Sequence, residues 1–135
     1  MSDHQRVEPC AFCDIVAGTA DASFVYRDES AAAFLDIRPV TPGHLLVVPL
    51  EHLEGLRDLP ADLGAHLFGV ASRLAVALHR SGLRCDGVNL FLADGTAAGQ
   101  EVDHVHLHVI PRYAGDVAEP RGGVRWVLPE TARYW

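Results

Sequence analysis

The sequence predicts an α+β domain, built as an antiparallel β-sheet with one long helix and one short helix on one side. Apolar residues recur at spacings of three and four along residues 61–80, which is typical of a long amphipathic helix. Short apolar or alternating segments elsewhere are typical of strands, and they follow one another in runs. Strands in runs, rather than in regular alternation with helices, favour an antiparallel sheet.

The first elements are a short helix and two strands. Residues 10–17 carry apolar side chains at roughly helical spacing and are followed by Gly18, a residue suited to ending a helix. Residues 24–26 and 31–36 are expected to form strands around the polar turn 27–29. The sheet is therefore expected to begin directly after the short helix.

The middle of the chain supplies a third strand and the long helix. Residues 39–43 contain two prolines and a glycine and are expected to form a connection, because proline lacks an N–H and glycine permits a turn. Residues 44–48 follow as a strand. The long helix over 61–80 has Asp62 near its start and Gly82 just past its end, where helix caps form.

The second half of the chain is expected to contain three strands. Residues 87–92 form the first of them and lead into a loop of small residues at 94–100. The second strand covers 104–110 and is expected to end at Pro111, because proline cannot donate to the ladder. Residues 124–128 form a last strand.

The segment 104–110 carries the strongest functional signal, because three histidines alternate there with aliphatic residues. Residues two apart in a strand share a face, so all three imidazoles are expected on one face. Imidazole serves as nucleophile, acid, base or metal ligand near neutral pH. A surface cluster of histidines is the alternative, but three in register favour a site. His66 and His79 lie off the apolar stripe of the long helix and are expected to face solvent.

Length and charge limit the possible classes of protein. A chain of 135 residues suits one core, so we expect a flexible N-terminal segment at 1–9 and a single domain at 10–135. The net charge of −7 argues against a nucleic-acid binder or an anionic-membrane binder, whose surface would be basic. We expect no segment to span a membrane or act as a signal peptide, which predicts a cytoplasmic protein.

The cysteines point to a metal. Cys10 and Cys13 form a C-x2-C pair, which in a cytosolic protein is more often a metal site or a redox pair than a structural disulfide. The βαβ context typical of a redox pair is missing from the predicted elements. A tetrahedral zinc site needs two more ligands, and histidines are available. Cys85 is expected to be a small apolar core residue.

Three segments resemble the histidine triad (HIT) family of nucleotide-binding hydrolases. Residues 99–112 resemble the family signature, a glycine-glutamine loop followed by three histidines that alternate with apolar residues. Residues 34–49 resemble its Asp-x-x-Pro-x-x-x-Gly-His segment, and residues 10–18 resemble the N-terminal helix of its zinc-carrying bacterial members. The segments stand in the family's order, and the match covers residues 10–115.

The resemblance implies a homodimeric hydrolase. The reaction would release a nucleoside monophosphate from a phosphoramidate or a dinucleoside polyphosphate, through a nucleotidyl-histidine intermediate. His106 would be the nucleophile, and His108 and His44 would assist it at the phosphate. A neutral imidazole attacks a phosphate without the repulsion that an anionic nucleophile meets, and covalent catalysis divides one difficult step into two. The attacking nitrogen is available only if the other ring nitrogen keeps its proton, for example on a backbone carbonyl.

The resemblance also implies a purine-nucleotide site. Asp36 would accept hydrogen bonds from the ribose hydroxyls, although a turn-forming aspartate before a proline is the alternative. The loop at Gly99 would bring backbone N–H groups to the phosphate, and Gln100 would add a side-chain donor. The base would lie in an apolar slot made by Phe12, Ile15 and Ile37.

The metal ligands follow from the same resemblance. Cys10, Cys13, His52 and His104 match the ligands of the zinc-carrying relatives. Two thiolates and two imidazoles complete a tetrahedron, which implies one structural Zn2+ per chain rather than a catalytic metal. On this interpretation His104 anchors the strand and His106 performs the chemistry.

Two positions depart from the family pattern. Many relatives carry asparagine or glutamine seven residues before Gln100, where this chain has Ala93. Asn89 lies about 13 Å away along the strand, too far to replace that amide. Glu101 stands beside the phosphate loop, and its carboxylate either points away or disfavours polyphosphates. Residues 113–135 match least, which leaves the leaving group open.

Three hypotheses of function therefore remain. The first is a nucleotidyl hydrolase that uses His106. The second is a catalytically weak or inactive nucleotide-binding module, which Ala93 favours. The third is a metal-handling protein in which the histidines are themselves ligands; it predicts more than one zinc ion per chain.

Overall fold

A computed structural model describes residues 9–116, which form a five-stranded antiparallel sheet and two α-helices. The strand order is β1-β2-β3-β5-β4, and every neighbouring pair is antiparallel. The α+β class with one long and one short helix is confirmed. The elements are α1 (Ala11–Ala17), β1 (Phe24–Arg27), β2 (Ala31–Leu35), β3 (Leu45–Pro49), α2 (Ala61–His79), β4 (Gly87–Phe91) and β5 (Leu107–Arg112).

Two predicted segments fall outside this range. The last strand, at residues 124–128, lies outside the described residues. So does the N-terminal segment 1–9, apart from Pro9. Both stay predictions.

The two helices pack on opposite faces of the sheet, and the expectation of helices on one side is wrong. Alternate residues of β2 and β3 separate into two buried clusters. Ala33 and Val47 lie in the cluster that contains Leu67 of α2. Ala32 and Val48 lie in the cluster that contains residues of α1. Both strands are buried on both faces, which explains why their sequences are continuously apolar rather than alternating.

The ends of α1 agree with the sequence, whereas the ends of α2 do not. Cys10 caps α1 by accepting the Cys13 N–H at its sulfur, and Gly18 follows in the left-handed conformation with φ 84°. The N-cap of α2 is Pro60, which makes no side-chain hydrogen bond, and its C-cap is Arg80 in the right-handed conformation. The expected caps at Asp62 and Gly82 are therefore wrong, and packing on the sheet fixes the helix instead.

Strand β5 begins and ends later than the sequence predicts. It starts at Leu107, so that His104 and His106 lie in the segment before it. It continues through Pro111, which lies opposite Val88 of β4. The pairing of β5 with β3 ends at Val109. Pro111 lacks an N–H, but it lies beyond this pairing and therefore removes no hydrogen bond to β3.

Helix α2 is long and apolar enough, by length and composition alone, to cross a membrane. This differs from the expectation that no segment would pass such a test. The core helix of a globular domain passes the same test, and α2 contacts β3, β4 and β5 through a buried stripe that includes Leu67, Val70 and Leu78.

Candidate active site and metal centre

The three histidines before and within β5 are all buried on one face. His104, His106 and His108 are at most 5% exposed, and the rings of His106 and His108 lie 5.0 Å apart. Val105 and Val109 belong to the core cluster under α2, on the opposite side. The alternation predicted from sequence therefore holds although the strand proper starts only at Leu107.

His106 is held as a neutral imidazole with one nitrogen available for attack. Its Nδ1 lies 2.8 Å from the carbonyl oxygen of His104. A carbonyl only accepts, so Nδ1 carries the proton and Nε2 keeps its lone pair. Burial lowers the pKa of His106, while the hydrogen bond to His104 and the charges of Asp36 and Glu101 raise it. The balance favours the neutral ring that nucleophilic attack requires.

His44 and His108 form a hydrogen-bonded pair with a defined proton order. The Val40 N–H lies 3.0 Å from Nδ1 of His44, and a backbone amide only donates. Nδ1 of His44 therefore has no proton, and its Nε2 carries one. That nitrogen lies 2.8 Å from Nδ1 of His108, which must accept. The proton of a neutral His108 consequently resides on its Nε2.

Asp36 lies at the end of β2, beside this pair. Its Oδ1 accepts the Arg38 N–H at 2.9 Å, which is the turn-forming bond weighed against the ribose role. Its Oδ2 lies 3.6 Å from Nε2 of His44. One carboxylate oxygen thus fixes the turn, and the other lies next to the histidine pair.

Of the two residues expected in the phosphate loop, Gln100 has a different role from the one expected. Gly99 adopts φ 91°, a conformation that favours glycine. Both amide hydrogens of Gln100 are used within the protein, since Nε2 donates to the carbonyls of Glu54 at 2.7 Å and Val102 at 2.9 Å. Its Oε1 accepts the Gly95 N–H at 2.7 Å. The side chain of Gln100 therefore closes the loop, and the expectation that it offers a donor to a phosphate is wrong for this conformation.

The three residues expected to hold the base lie in different environments. Ile37 is 82% exposed, whereas Ile15 is half-buried and packs against the α1 cluster. Phe12 is buried, with its ring 5.7 Å from Phe34 and 5.0 Å from His106. Phe12 thus packs against the His106 ring from the interior. Ile37 is the most exposed of the three.

The four predicted metal ligands meet in one cluster. The ligand atoms of Cys10, Cys13, His52 and His104 all lie within 4.8 Å of one another. Nδ1 of His104 lies 3.6 Å from both sulfurs, and Nδ1 of His52 lies 3.2 Å from the Cys13 sulfur. A tetrahedral zinc ion places its sulfur and nitrogen ligands about 3.6 Å apart, given Zn–S of about 2.3 Å and Zn–N of about 2.05 Å. The donor set and its spacing fit Zn2+.

The protonation of His104 also fits metal binding. Its Nε2 lies 2.9 Å from the Pro49 carbonyl and must donate to it, which leaves Nδ1 with a lone pair directed at the sulfurs. Burial lowers the pKa of His104 to about 4, so the ring is neutral at pH 7. Burial raises the pKa of the Cys10 thiol to about 11. A metal ion must therefore displace the thiol proton when it binds.

A second group of ligand-type side chains is better explained by hydrogen bonding. Asp36, His44 and His108 also have ligand atoms within 4.8 Å of one another. A metal bound by Nε2 of His44 would have to remove its proton, because Nδ1 is already committed to the Val40 N–H. The product would be an imidazolate. The proton order thus disfavours the metal-handling hypothesis at this position.

Some contacts near the site could not be found from sequence. The Val40 amide and the Pro49 carbonyl fix two histidine tautomers, but backbone groups carry no residue-type signal. Asn89 accepts a hydrogen bond from Arg112, and Ala93 is buried where relatives were expected to carry an amide. The Asn89 side chain thus pairs with Arg112, and the NH2 group of Gln100 donates to backbone carbonyls.

A five-stranded antiparallel sheet, with a row of buried histidines beside a Cys2His2 cluster, is the arrangement that the resemblance to histidine triad proteins predicts. Comparison with known proteins assigns the chain more closely. The HIT domain model matches residues 17–115, and the chain belongs to the HIT family.

Relatives and solved structures agree with this assignment. The chain is 44% identical, over 79% of its length and 81% of the relative's, to an uncharacterised HIT-like protein of Methanocaldococcus jannaschii. It is 36% identical, over 76% of its length and 62% of the relative's, to adenosine 5′-monophosphoramidase of Saccharomyces cerevisiae. A zinc-bound histidine triad family protein from Mycobacterium smegmatis superimposes with TM-score 0.79 at 44% identity, covering 93% of this chain and 91% of that one.

Proposed function

We propose that this HIT protein hydrolyses purine nucleotide derivatives and releases a nucleoside monophosphate through a covalent nucleotidyl-His106 intermediate. The observation that carries the proposal is the hydrogen bond from Nδ1 of His106 to the His104 carbonyl, which leaves Nε2 as a neutral nucleophile. The similarity to the yeast phosphoramidase supports the same reaction class.

The chemistry proceeds in two displacements. Nε2 of His106 attacks the α-phosphorus, an N–P bond forms, and the bond from phosphorus to the leaving group breaks. The proton on Nε2 of His108 is available to a phosphoryl oxygen or to the departing amine. A water molecule then attacks the phosphorus and breaks the N–P bond, while the proton that this water loses passes to Nε2 of His108 and replaces the one given to the leaving group. His106 returns to its neutral form, and the monophosphate is released.

The charges beside the nucleophile favour a phosphoramidate over a dinucleoside polyphosphate. Glu101 and Asp36 are close enough to raise the pKa of His106 by their charge. Arg38 lies 3.7 Å from Glu101, but its side chain is 71% exposed, so solvent screens that pair. A polyphosphate leaving group would bring several negative charges to these carboxylates, whereas an amine would not.

We infer that Cys10, Cys13, His52 and His104 hold one structural Zn2+ per chain. Zinc supplies the positive charge that keeps two thiolates and two imidazoles together in the interior. Zinc content measured by plasma emission spectroscopy should be one ion per chain, and it should be lost in Cys10→Ser with a lower unfolding temperature. Retention of zinc in that variant would contradict the ligand set. More than one ion per chain would support the metal-handling hypothesis.

We also propose that the protein is cytoplasmic and forms a homodimer. Strand β4 is at an edge of the described sheet, and Leu90 on it is 38% exposed. Phe68 and Val76 of α2 are 59% and 47% exposed. A second copy is a suitable cover for these apolar side chains. Light scattering after gel filtration should give a mass of two chains.

A nucleotide-binding module without useful turnover is the second candidate, because the buried methyl group of Ala93 replaces the expected amide. Turnover of adenosine phosphoramidate, diadenosine triphosphate and diadenosine tetraphosphate separates the two. His106→Ala should abolish turnover and keep AMP affinity within about tenfold. The matched control is His66→Ala, which changes a half-buried histidine elsewhere in the chain and should retain turnover. AMP binding without turnover in the wild type would favour the module.

A further inference from the structure

We propose that the Cys2His2 centre positions the nucleophile, so that zinc in the centre sets the orientation and tautomer of His106. Use of that nucleophile for catalysis rests on the proposed function, but its positioning is a separate property of the structure. Cys10, Cys13, His52 and His104 are then positioning residues for the reaction as well as stabilising ones.

His104 connects the two sites through a single residue. Its ring lies in the metal centre, with Nδ1 3.6 Å from both sulfurs. Its carbonyl oxygen accepts the Nδ1–H of His106 at 2.8 Å. A metal that fixes the ring of His104 therefore also restricts the peptide group that decides which nitrogen of His106 is protonated.

A second contact reaches His106 from the cysteine side of the centre. Phe12 lies between Cys10 and Cys13 at the start of α1, and its ring meets the His106 ring edge-on with centroids 5.0 Å apart. It also lies 5.9 Å from the ring of His104. The metal centre thus contacts His106 in two ways. His104 contacts it through a hydrogen bond, and the Cys10–Cys13 turn contacts it through the packing of Phe12.

The sequence spacing makes this coupling unavoidable. Cys10 and Cys13 must lie on one turn to share a metal, and the residue between them that faces inward is Phe12. In the same way, the residue two positions after His104 shares its face. Loss of the metal leaves four buried ligand side chains without their common cation, and we expect α1 and the 104–106 segment to separate.

Ring NMR of histidines with and without metal tests the positioning directly. In the zinc-loaded protein at fixed neutral pH, two-bond 1H–15N correlations should show His106 as one neutral tautomer, protonated at Nδ1. Metal-stripped protein, and Cys13→Ser, should show His106 as a mixture of tautomers. Zinc readdition should restore the single tautomer in the stripped wild type but not in the variant. An unchanged His106 spectrum in a folded, metal-free protein would overturn the proposal.

A single-turnover measurement then links positioning to rate. Formation of the nucleotidyl-His106 adduct, followed by intact mass, should slow about 100-fold without metal, since small misplacements of reacting groups have effects of that size. AMP affinity should change by less than about threefold. Asp28→Asn is the matched control, because it loosens a hydrogen-bonded cluster that contacts α2 rather than the metal centre, and it should leave the His106 spectrum unchanged.

Two further outcomes are decisive. If the metal-free protein unfolds, Phe12→Leu with zinc bound replaces it, and an unchanged adduct rate in that variant would contradict the proposal. If no adduct forms in the zinc-loaded wild type, the proposed hydrolase activity fails, while the NMR comparison still decides whether the centre positions His106.

Discussion

Asp28 is predicted to stabilise the fold, to an extent that depends on pH. Its Oδ2 lies 2.6 Å from both the Tyr26 hydroxyl and Nε2 of His66, and its Oδ1 accepts the Ser30 and Ala31 N–H groups at 2.8 Å. One carboxylate therefore joins the β1–β2 turn to helix α2. Burial alone would raise the pKa of Asp28, but these four hydrogen bonds outweigh it and hold the pKa well below its ordinary value.

The effect of Asp28→Asn follows from this geometry. Asparagine keeps one oxygen for the two backbone donors but places an NH2 group opposite Tyr26 and His66. Two charge-assisted bonds of about 1.5 kcal/mol each are lost, which solvent at this partly exposed site reduces to about 2 kcal/mol in total. For a domain of this size the unfolding temperature should fall by about 8 °C at pH 7.

The pH dependence has a definite sign. The folded pKa of Asp28 lies below the unfolded value of about 3.9, so its contribution is complete above that pH and declines as the pH falls below it. Calorimetry should show the wild type and Asp28→Asn converging below pH 4. Glu29→Gln removes the same charge from an exposed neighbour and serves as control. A difference of less than 2 °C between the two variants at pH 7 would refute the reasoning.

Three further predictions concern the site. His44→Ala removes the donor to Nδ1 of His108. In steady-state kinetics kcat should fall about 100-fold, whereas KM should stay within about threefold. A rise in KM as large as the fall in kcat would contradict the role given to the proton order. Gln100→Ala removes three hydrogen bonds, two within the 95–102 loop and one to the carbonyl of Glu54. It should lower the free energy of unfolding by about 3 kcal/mol in denaturant titration, with the exposed Glu51→Ala as control. Glu101→Gln should raise kcat/KM for diadenosine tetraphosphate relative to adenosine phosphoramidate about tenfold, and an unchanged ratio would show that its charge does not select the leaving group.

Local patterns in the sequence predicted the parts of the site that depend on local geometry. Alternation in residues 104–110 placed three imidazoles on one face, because neighbouring side chains of an extended chain point in opposite directions. Cys10 and Cys13 lie one helical turn apart at the start of α1, so they converge. The family resemblance then added His52 and His104, and the four meet in the structure.

Features that depend on distant contacts were beyond such patterns. The continuously apolar sequences of β2 and β3 indicate that both faces of these strands are covered. They do not indicate which helix covers which face. His66 lies off the apolar stripe of α2, yet it contacts Asp28, which is 38 positions earlier in the chain. The family resemblance assigns the Gln100 side chain to the phosphate, whereas in the structure its NH2 group donates to carbonyls of the chain itself.

The proton order of the histidine pair starts at a main-chain amide, that of Val40. Such a donor has no titration in the physiological range, and its direction does not depend on the side chain at position 40. Exchange of valine for almost any residue leaves this donor intact, and only proline, which lacks the N–H, removes it. The proton order of the histidine pair is therefore insensitive to the side chain at position 40, although the residue that secures it would score as replaceable in a scan of side chains.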